Sequence, residues 1–149
     1  MKKLILLVFF TSLPLSNEAF AFDTSYFGKY GVYDIRDVGG GIASDDVIEK
    51  WKIFGMCVSH AKFSVRSVFV ENPRYGISLI NLKVDSEVDD RSMPYSYGVE
   101  IDRNPIRVLG VYRKKDKEAY VRFEFISQNR LVEIYDGRLF FYRKVSDKC

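Results

Sequence analysis

The segment from Val121 to Val145, VRFEFISQNRLVEIYDGRLFFYRKV, decides the fold class of this chain. Its first part alternates apolar and charged residues with a period of two. Successive side chains of a strand point to opposite faces, so Phe123 and Phe125 face inward while Arg122 and Glu124 face water. This alternation indicates a half-buried β-strand.

A hairpin closes the same segment. Two apolar runs, 131–135 and 139–145, flank the dipeptide Asp136-Gly137. Asp-Gly is typical of the tight type I′ turn, in which both central residues need a positive φ. The sequence therefore predicts two antiparallel strands joined at this turn.

The alternating rhythm extends toward the N-terminus. A strand from Gly28 to Val38 comes first, and further strands are predicted near 53–58, 63–69, 77–84, 95–101 and 106–113. We expect eight or nine strands in an up-and-down antiparallel order. A sheet of this size removes its exposed edges by closing on itself. The fold class is therefore predicted as an all-β, antiparallel barrel.

One short helix is expected between the first two strands. Gly39-Gly40-Gly41 ends the first strand, and Ser44 is placed to cap the helix that follows. Val47, Ile48 and Trp51 form its single apolar face. We predict no second helix in the mature chain.

The composition is that of one ordinary globular domain. The chain has 149 residues, 47% of them hydrophobic and 29% charged, with a formal net charge of +3. These values exclude long disorder, collagen-like repeats and a coiled coil. So small a charge gives no reason to expect nucleic-acid binding.

The first 21 residues have the pattern of a signal peptide. Lys2 and Lys3 form a basic start, an apolar run follows, and Ala19-Phe20-Ala21 supplies the small residues that a signal peptidase reads. The apolar run is shorter than the roughly 20 residues of a membrane span. We predict cleavage after Ala21, a single domain over residues 22–149 without a membrane span, and a periplasmic or secreted location.

Export gives the two cysteines a meaning. Cys57 and Cys149 have one intramolecular pairing, and an even number of cysteines in a secreted chain usually pairs off. We predict this disulfide, which would tie the last residue to an early strand. Two free thiols, or an intermolecular bridge through Cys149, remain the alternatives.

The predicted strand order resembles that of the lipocalins. Lipocalins open their first strand with Gly-x-Trp, and Gly28-Lys29-Tyr30 stands at the corresponding place with Tyr for Trp. Many carry a basic residue near the last strand that packs across this motif, for which Arg138 or Arg143 is available. The order of a Gly-Lys-Tyr strand, a Gly-rich break, a short Ser-Asp-Asp helix and a final strand after Asp136-Gly137 also resembles that of small secreted bacterial proteins. The lipocalin resemblance implies a barrel and the carriage of a small apolar ligand.

No catalytic or metal site is predicted. His60 is the only histidine, and its neighbour Ser59 would point to the opposite face of a strand, so we interpret His60 as an exposed strand-end residue. The acidic stretch 85–90 lacks the spacing and the central Gly of a calcium loop. Gly39-Gly40-Gly41 lacks the Lys-Ser/Thr continuation of a phosphate loop. We therefore expect no cofactor.

Binding by surface shape is what remains. Several tyrosines are predicted at strand ends. The ring of such a tyrosine is available to a partner, or it belongs to the core or to a cross-strand pair. An acidic loop and a basic turn supply charges of opposite sign that could steer a partner. The predicted binding residues are Tyr95, Tyr97, Tyr112, Asp89, Asp90, Lys114 and Lys115.

The function predicted from these patterns is non-enzymatic binding outside the cytoplasm. Binding of a protein partner, such as a cell-wall hydrolase or an interbacterial toxin, requires only rigid loops on this chain. A carrier of a small apolar ligand is the alternative, and an exported hydrolase is the third. Carriage requires a hollow barrel, whereas the phenylalanines expected to face inward are bulky enough to fill a narrow one: Phe63, Phe69, Phe123, Phe125 and Phe141.

Overall fold

The computed structural model describes residues 23–80, 97–101 and 105–149. The predicted signal peptide, the acidic loop with Asp89 and Asp90, and Tyr95 lie outside these residues. The elements, in chain order, are a 3₁₀ turn Thr24–Tyr26, β1 Gly28–Asp37, α1 Asp45–Lys52, β2 Met56–Val58, β3 Lys62–Val65, β4 Val68–Glu71, β5 Arg74–Ile80, β6 Ile106–Tyr112, β7 Val121–Ser127, β8 Arg130–Tyr135 and β9 Arg138–Ser146.

The strands form one curled antiparallel sheet, which confirms the predicted all-β, barrel-like fold. In the described residues it has nine strands, in the order β4-β3-β2-β1-β9-β8-β7-β6-β5, and every pairing between neighbours is antiparallel. Apart from the pairing of β9 with β1, every pairing joins two strands that are consecutive in the chain. This is the up-and-down order expected from the sequence.

The two end strands of the sheet, β4 and β5, are consecutive in the chain. Eight antiparallel steps separate them around the sheet, so they run in the same direction, with only residues 72–73 between them. Glu71 at the end of β4 is opposite Lys62, where β3 begins. Arg74 at the start of β5 is opposite Tyr112, where β6 ends. The chain therefore continues as one bent strand that changes its partner from β3 to β6.

The two residues at the bend, Asn72 and Pro73, suit a change of strand direction. Asn72 has a φ of 45°, a left-handed conformation that Asn adopts more readily than most residues. Pro73 has no backbone N–H to donate. β4 and β5 are not paired with each other among the described residues, so the curled sheet is a half-barrel. The expectation of a fully paired, edgeless wall is therefore wrong for these residues.

The concave side of the sheet is filled with side chains. Phe63 of β3 lies 5.9 Å from Phe123 of β7, measured between ring centroids, and Phe123 lies 5.9 Å from Tyr142 of β9. Contacts of this kind cross the interior from one wall to the other. The largest side chains under 2% exposed include Tyr30, Met56, Phe63, Phe123, Phe140 and Tyr142.

Two of the five predicted interior phenylalanines lie elsewhere. Phe69 is 58% exposed, since its neighbours Val68 and Val70 take the inward positions of β4. Phe141 is buried on the convex face, in a separate cluster with Val99 and Ile126. The inward assignment is confirmed by burial for Phe63, Phe123 and Phe125.

Residues 97–101 account for the buried convex face. The strand predicted over 95–101 is wrong for this described part, which forms a turn and an irregular segment. Val99 and Ile101 pack over the outer sides of the strands, so both faces of β6 carry buried residues. Alternation alone does not distinguish such a covering segment from a strand.

The helix covers one end of the half-barrel. Trp51 lies edge-on to Phe140 at 5.1 Å, and Val47 and Ile48 also pack against the concave core, as their spacing predicts. Ser44 is the N-cap residue, although its side chain makes no capping hydrogen bond. At the other end, Tyr26 closes the interior by packing against Phe125 at 4.6 Å.

Local geometry supports the remaining predictions about turns and cysteines. Asp136 and Gly137 have φ values of 50° and 71°, as a type I′ hairpin requires. Cys57 and Cys149 form the predicted pair, with Cα atoms 5.5 Å apart. None of the helices among the described residues has the length and apolar character needed to cross a membrane.

Candidate functional site

An open cleft lies where β5 begins beside the loop between β6 and β7. We call it the seam cleft, because it flanks the bend between the two end strands of the sheet. Its volume is about 630 Å³. The residues that line it are Arg74, Tyr75, Gly76, Tyr112, Lys114, Lys115, Asp116 and Lys117.

Two glycines position the aromatic wall of the cleft. Gly76 and Gly110 are directly opposite each other in the pairing of β5 with β6. The Tyr112 ring lies over both: a Cβ on Gly110 would come 2.9 Å from its Cε2 atom, and one on Gly76 would come 3.3 Å from the same atom. Any larger residue at Gly110 would therefore push the ring away from the sheet.

The arginine of the cleft is held in place by the loop. Arg74 donates from Nη2 to the backbone carbonyl of Asp116 at 2.6 Å, and its guanidinium lies 5.6 Å from the centroid of the Tyr112 ring. Arg113 donates from Nε to the Asp116 carboxylate at 2.6 Å. That hydrogen bond raises the pKa of Arg113. The Asp116 carboxylate is therefore already paired within the loop.

Tyr75 fixes the other side of the bend. Its hydroxyl donates to the backbone carbonyl of Ser59 in the turn between β2 and β3, at 2.9 Å. Burial raises the pKa of Tyr75. This contact connects the start of β5 to the β2–β3 turn across the seam.

The charge of the seam cleft is strongly one-sided. Four cationic side chains line it against one carboxylate, and that carboxylate is paired with Arg113. Lys114, Lys115 and Lys117 are exposed. Such an arrangement attracts carboxylates or other anions, and the adjacent ring offers an apolar face. None of the described residues that line the cleft is a His or a Cys.

A second, smaller cleft adjoins the first on the outer face of β5 and β6. Its volume is about 350 Å³, and it shares Tyr112 with the seam cleft. The remaining lining residues are Ser78, Val108, Gly110, Glu118, Ala119 and Arg122. The two clefts meet at the Tyr112 ring, so a bound partner could extend from one into the other.

A different charged cluster is buried away from the seam cleft. Arg66 and Glu133 form an ion pair with side chains only 8% and 3% exposed. Tyr142 donates its hydroxyl to Glu133 Oε1 at 2.6 Å and accepts from Arg66 Nη1 at 3.2 Å. The Arg66 guanidinium also lies 3.9 Å from the centroid of the Tyr135 ring. Burial raises the pKa of Tyr142 to about 12, against the opposing effect of Arg66. We refer to Arg66, Glu133 and Tyr142 as the buried cluster.

His60 lies in the exposed turn between β2 and β3, in agreement with its interpretation as a strand-end residue. Its ring meets the edge of Phe27 at 4.4 Å. The Ser59 hydroxyl donates to the Lys62 carbonyl at 2.9 Å, which closes the turn. Within residues 23–80, 97–101 and 105–149, no three His, Cys, Asp or Glu side chains are grouped to hold a metal.

The structure brings together three of the predicted binding residues. Tyr112, Lys114 and Lys115 line the seam cleft. Tyr97 is 43% exposed in the segment 97–101, which is not part of the cleft lining. Tyr95, Asp89 and Asp90 lie outside the described residues.

Two features were missed at the level of sequence, one in the seam cleft and one in the buried cluster. Arg74 follows the turn Asn72-Pro73, a signal that marks a bend but does not show which loop the next residue meets. Glu133 interrupts the apolar run 131–134, and a charge within such a run indicates a buried partner. The partner, Arg66, is 67 positions away and carries no signal of its own.

The two arginines associated with the lipocalin motif have different surroundings in the structure. Arg138 pairs with Asp37 at 3.1 Å. Asp37 is the last residue of β1, whereas Gly28 is the first. Arg143 is opposite Gly31, with its guanidinium 5.9 Å from the Tyr33 ring. No family model matches the chain, and no curated protein or solved structure shows significant similarity to it.

Proposed function

We propose that this chain is an exported, non-enzymatic binding protein that attaches to a protein partner through the seam cleft. The observation that carries the proposal is the unbalanced charge of an open, aromatic-lined cleft built on a rigid strand pairing. Electrostatic complementarity of this kind accelerates encounter and selects partners of opposite charge. A cell-wall hydrolase or an interbacterial toxin with an acidic surface is the expected kind of partner.

Export is the second element of the proposal. The basic and apolar start of the sequence and the small residues before Phe22 support it. The pairing of Cys57 with Cys149 at disulfide distance is compatible with an oxidising compartment.

The filled concave side argues against the carrier of a small apolar ligand. A carrier needs an internal cavity, whereas Phe63, Phe123 and Tyr142 meet across the interior of the half-barrel. The strand order supports a lipocalin-like architecture, and the proposal takes from that resemblance the architecture alone.

The test is a capture experiment with charge-reversed variants. Residues 22–149 are immobilised, incubated with periplasmic extract of the producing organism, and the retained proteins and lipids are identified by mass spectrometry. Lys114→Glu with Lys115→Glu reverses two cleft charges. Lys50→Glu with Lys148→Glu makes the same change in net charge at two exposed lysines that are not part of the cleft lining.

We expect one protein to be retained by the native chain and by the Lys50/Lys148 variant, but not by the cleft variant. Recovery of a lipid alone, or equal recovery of the protein by both variants, would contradict the proposal. Turnover of a cell-wall substrate by the purified protein, with loss of that activity in His60→Ala, would also contradict it.

A further inference from the structure

Within the part of the chain that the structure describes, one edge of the strand β5 has no neighbouring strand. β5 stands at the end of the sheet order, and among the described residues it is paired with β6 only. The pairing of β3 with β4 ends where Lys62 is opposite Glu71, three residues before β5 starts at Arg74. β3 therefore does not extend along the other side of β5. Half of the backbone amides and carbonyls of β5 therefore point away from the sheet.

The sequence of β5 lacks the residues that usually protect an edge strand. Natural edges carry Pro, Lys, inward-pointing charges or bulges. The β5 sequence RYGISLI has no Pro and no Lys, its only charge is Arg74 at the start, and its register with β6 is unbroken. Ile77 and Leu79 are 37% and 58% exposed on the face that continues the concave side.

Cations stand at one end of the free edge. The hydrogen bond from Arg74 to the Asp116 carbonyl holds the β6–β7 loop against the start of β5. Lys114, Lys115 and Lys117 are therefore near the first residues of the strand, and they are exposed. A chain that is laid along the edge meets positive charge at one end and apolar side chains farther on.

From this geometry we infer that β5 accepts an extended segment of an acidic protein partner as an added strand. Acidic residues of the segment lie at the seam cleft, and apolar residues at alternate positions pack against Ile77 and Leu79. Main-chain hydrogen bonds supply affinity in such strand addition, and alternate side chains supply specificity. The inference rests on the proposed function, because it specifies how the partner of the seam cleft is recognised.

The charge of the edge distinguishes this occupant from a second copy of the chain. β5 contains no acidic residue, so pairing between two β5 strands would bring no carboxylate to the lysines of either loop. An acidic segment neutralises them. We therefore take the partner strand, and not self-association, as the occupant of the edge.

The test begins with a library of random twelve-residue peptides displayed on phage and selected against residues 22–149. We expect enrichment of Glu or Asp at one end, followed by Val, Ile or Leu at alternate positions. Binding of the most enriched peptide to the native chain, to the Lys114/Lys115 variant and to the Lys50/Lys148 variant is then measured by fluorescence anisotropy. Charge reversal in the cleft should weaken binding about tenfold or more, and the control variant should not.

Backbone methylation of the peptide tests strand addition separately from charge. N-methyl groups on alternate residues block the hydrogen bonds of one strand edge while side chains and charge stay the same. Methylation of one edge should weaken binding about tenfold or more, and methylation of the other edge should have little effect. Equal binding by all three peptides would overturn the inference, and so would the absence of an enriched acidic pattern. A dimer in sedimentation equilibrium that is dissociated by the peptide would assign the edge to a second copy instead.

The two proposals can fail separately. If the charge-reversed cleft loses its natural partner in the capture experiment while methylation has no effect on peptide binding, the proposed function stands and the added strand is wrong. If strand addition is observed but capture is insensitive to charge reversal, the cleft is not the site of the natural partner.

Discussion

The buried cluster and the seam cleft are two concentrations of charge with opposite arrangements. In the buried cluster, Arg66 has a carboxylate partner, and the Tyr142 hydroxyl bonds to both groups. In the seam cleft, four cations face one carboxylate that is already paired. Charges withdrawn from water must be matched, whereas exposed charges carry no such requirement. The difference assigns the first group to the stability of the fold and leaves the second available to a partner.

The largest expected difference in stability between the two regions is at Glu133. Glu133→Ala leaves the Arg66 guanidinium buried without its carboxylate, and we expect it to lower the free energy of unfolding by about 4 kcal/mol. Asp116→Ala removes the exposed partner of Arg113 and should cost about 1 kcal/mol or less. Urea denaturation followed by circular dichroism measures both.

A double variant keeps that prediction informative if Glu133→Ala does not fold. Arg66→Met with Glu133→Leu removes both charges together, and it should recover most of the lost stability because no unpaired buried charge remains. Equal losses at Glu133 and Asp116, or a double variant less stable than Glu133→Ala, would show that the two regions do not differ as described.

The disulfide gives the next largest effect, and it separates stability from charge. Cys57→Ser with Cys149→Ser opens a link between residues 92 positions apart. Removal of a native disulfide typically costs about 2–5 kcal/mol, so we expect a loss near the middle of that range. Partner capture below the melting temperature should persist, because the charges of the seam cleft are unchanged. Two alkylatable thiols in unreduced native protein, detected by intact mass, would contradict the pairing itself.

Salt should act on the seam cleft and leave the buried cluster nearly unaffected. Exposed charges more than a Debye length apart, about 10 Å at 0.1 M salt, are largely screened. Raising NaCl from about 50 to about 500 mM should weaken partner binding roughly tenfold through slower association. The stability difference between native protein and Glu133→Ala should change little, because that ion pair is buried. Salt-insensitive binding would indicate that the cations do not steer the partner.

The same contrast explains how much could be predicted from the sequence. Periodicity is local, so the strands of 121–145, the Asp136-Gly137 hairpin and the apolar face of α1 follow from neighbouring residues alone. The pairing of Cys57 with Cys149 was predicted from the even number of cysteines. Three of the predicted binding residues converge because Tyr112, Lys114 and Lys115 are close together in the chain.

Long-range geometry could not be predicted in this way. Arg66 meets Glu133 across 67 positions, and nothing near Arg66 marks the contact. The change of partner at residues 72–73 depends on where β3 and β6 end, which the turn signal at Asn72-Pro73 does not specify. The segment 97–101 has the alternation of a strand, yet it covers a sheet that alternation alone would leave half-exposed.

The smallest expected effect is a loss of stability at alkaline pH, and it distinguishes the buried Tyr142 from an exposed tyrosine. Burial raises the pKa of Tyr142 to about 12, from the usual 10. The folded chain therefore holds the phenol proton more tightly than the unfolded chain, and this contribution is complete below pH 10 and is lost as the pH rises toward 12. At pH 10.5 the loss should stay below about 1 kcal/mol. Urea denaturation at pH 9 and pH 10.5 should show a smaller decline in the free energy of unfolding for Tyr142→Phe than for native protein.

Tyr120→Phe, at a ring 47% exposed, is the matched control, and its free energy of unfolding should decline as that of the native chain does. A decline in Tyr142→Phe equal to that of the control would mean that Tyr142 does not contribute to the alkaline loss, and burial would then not raise its pKa in the folded chain.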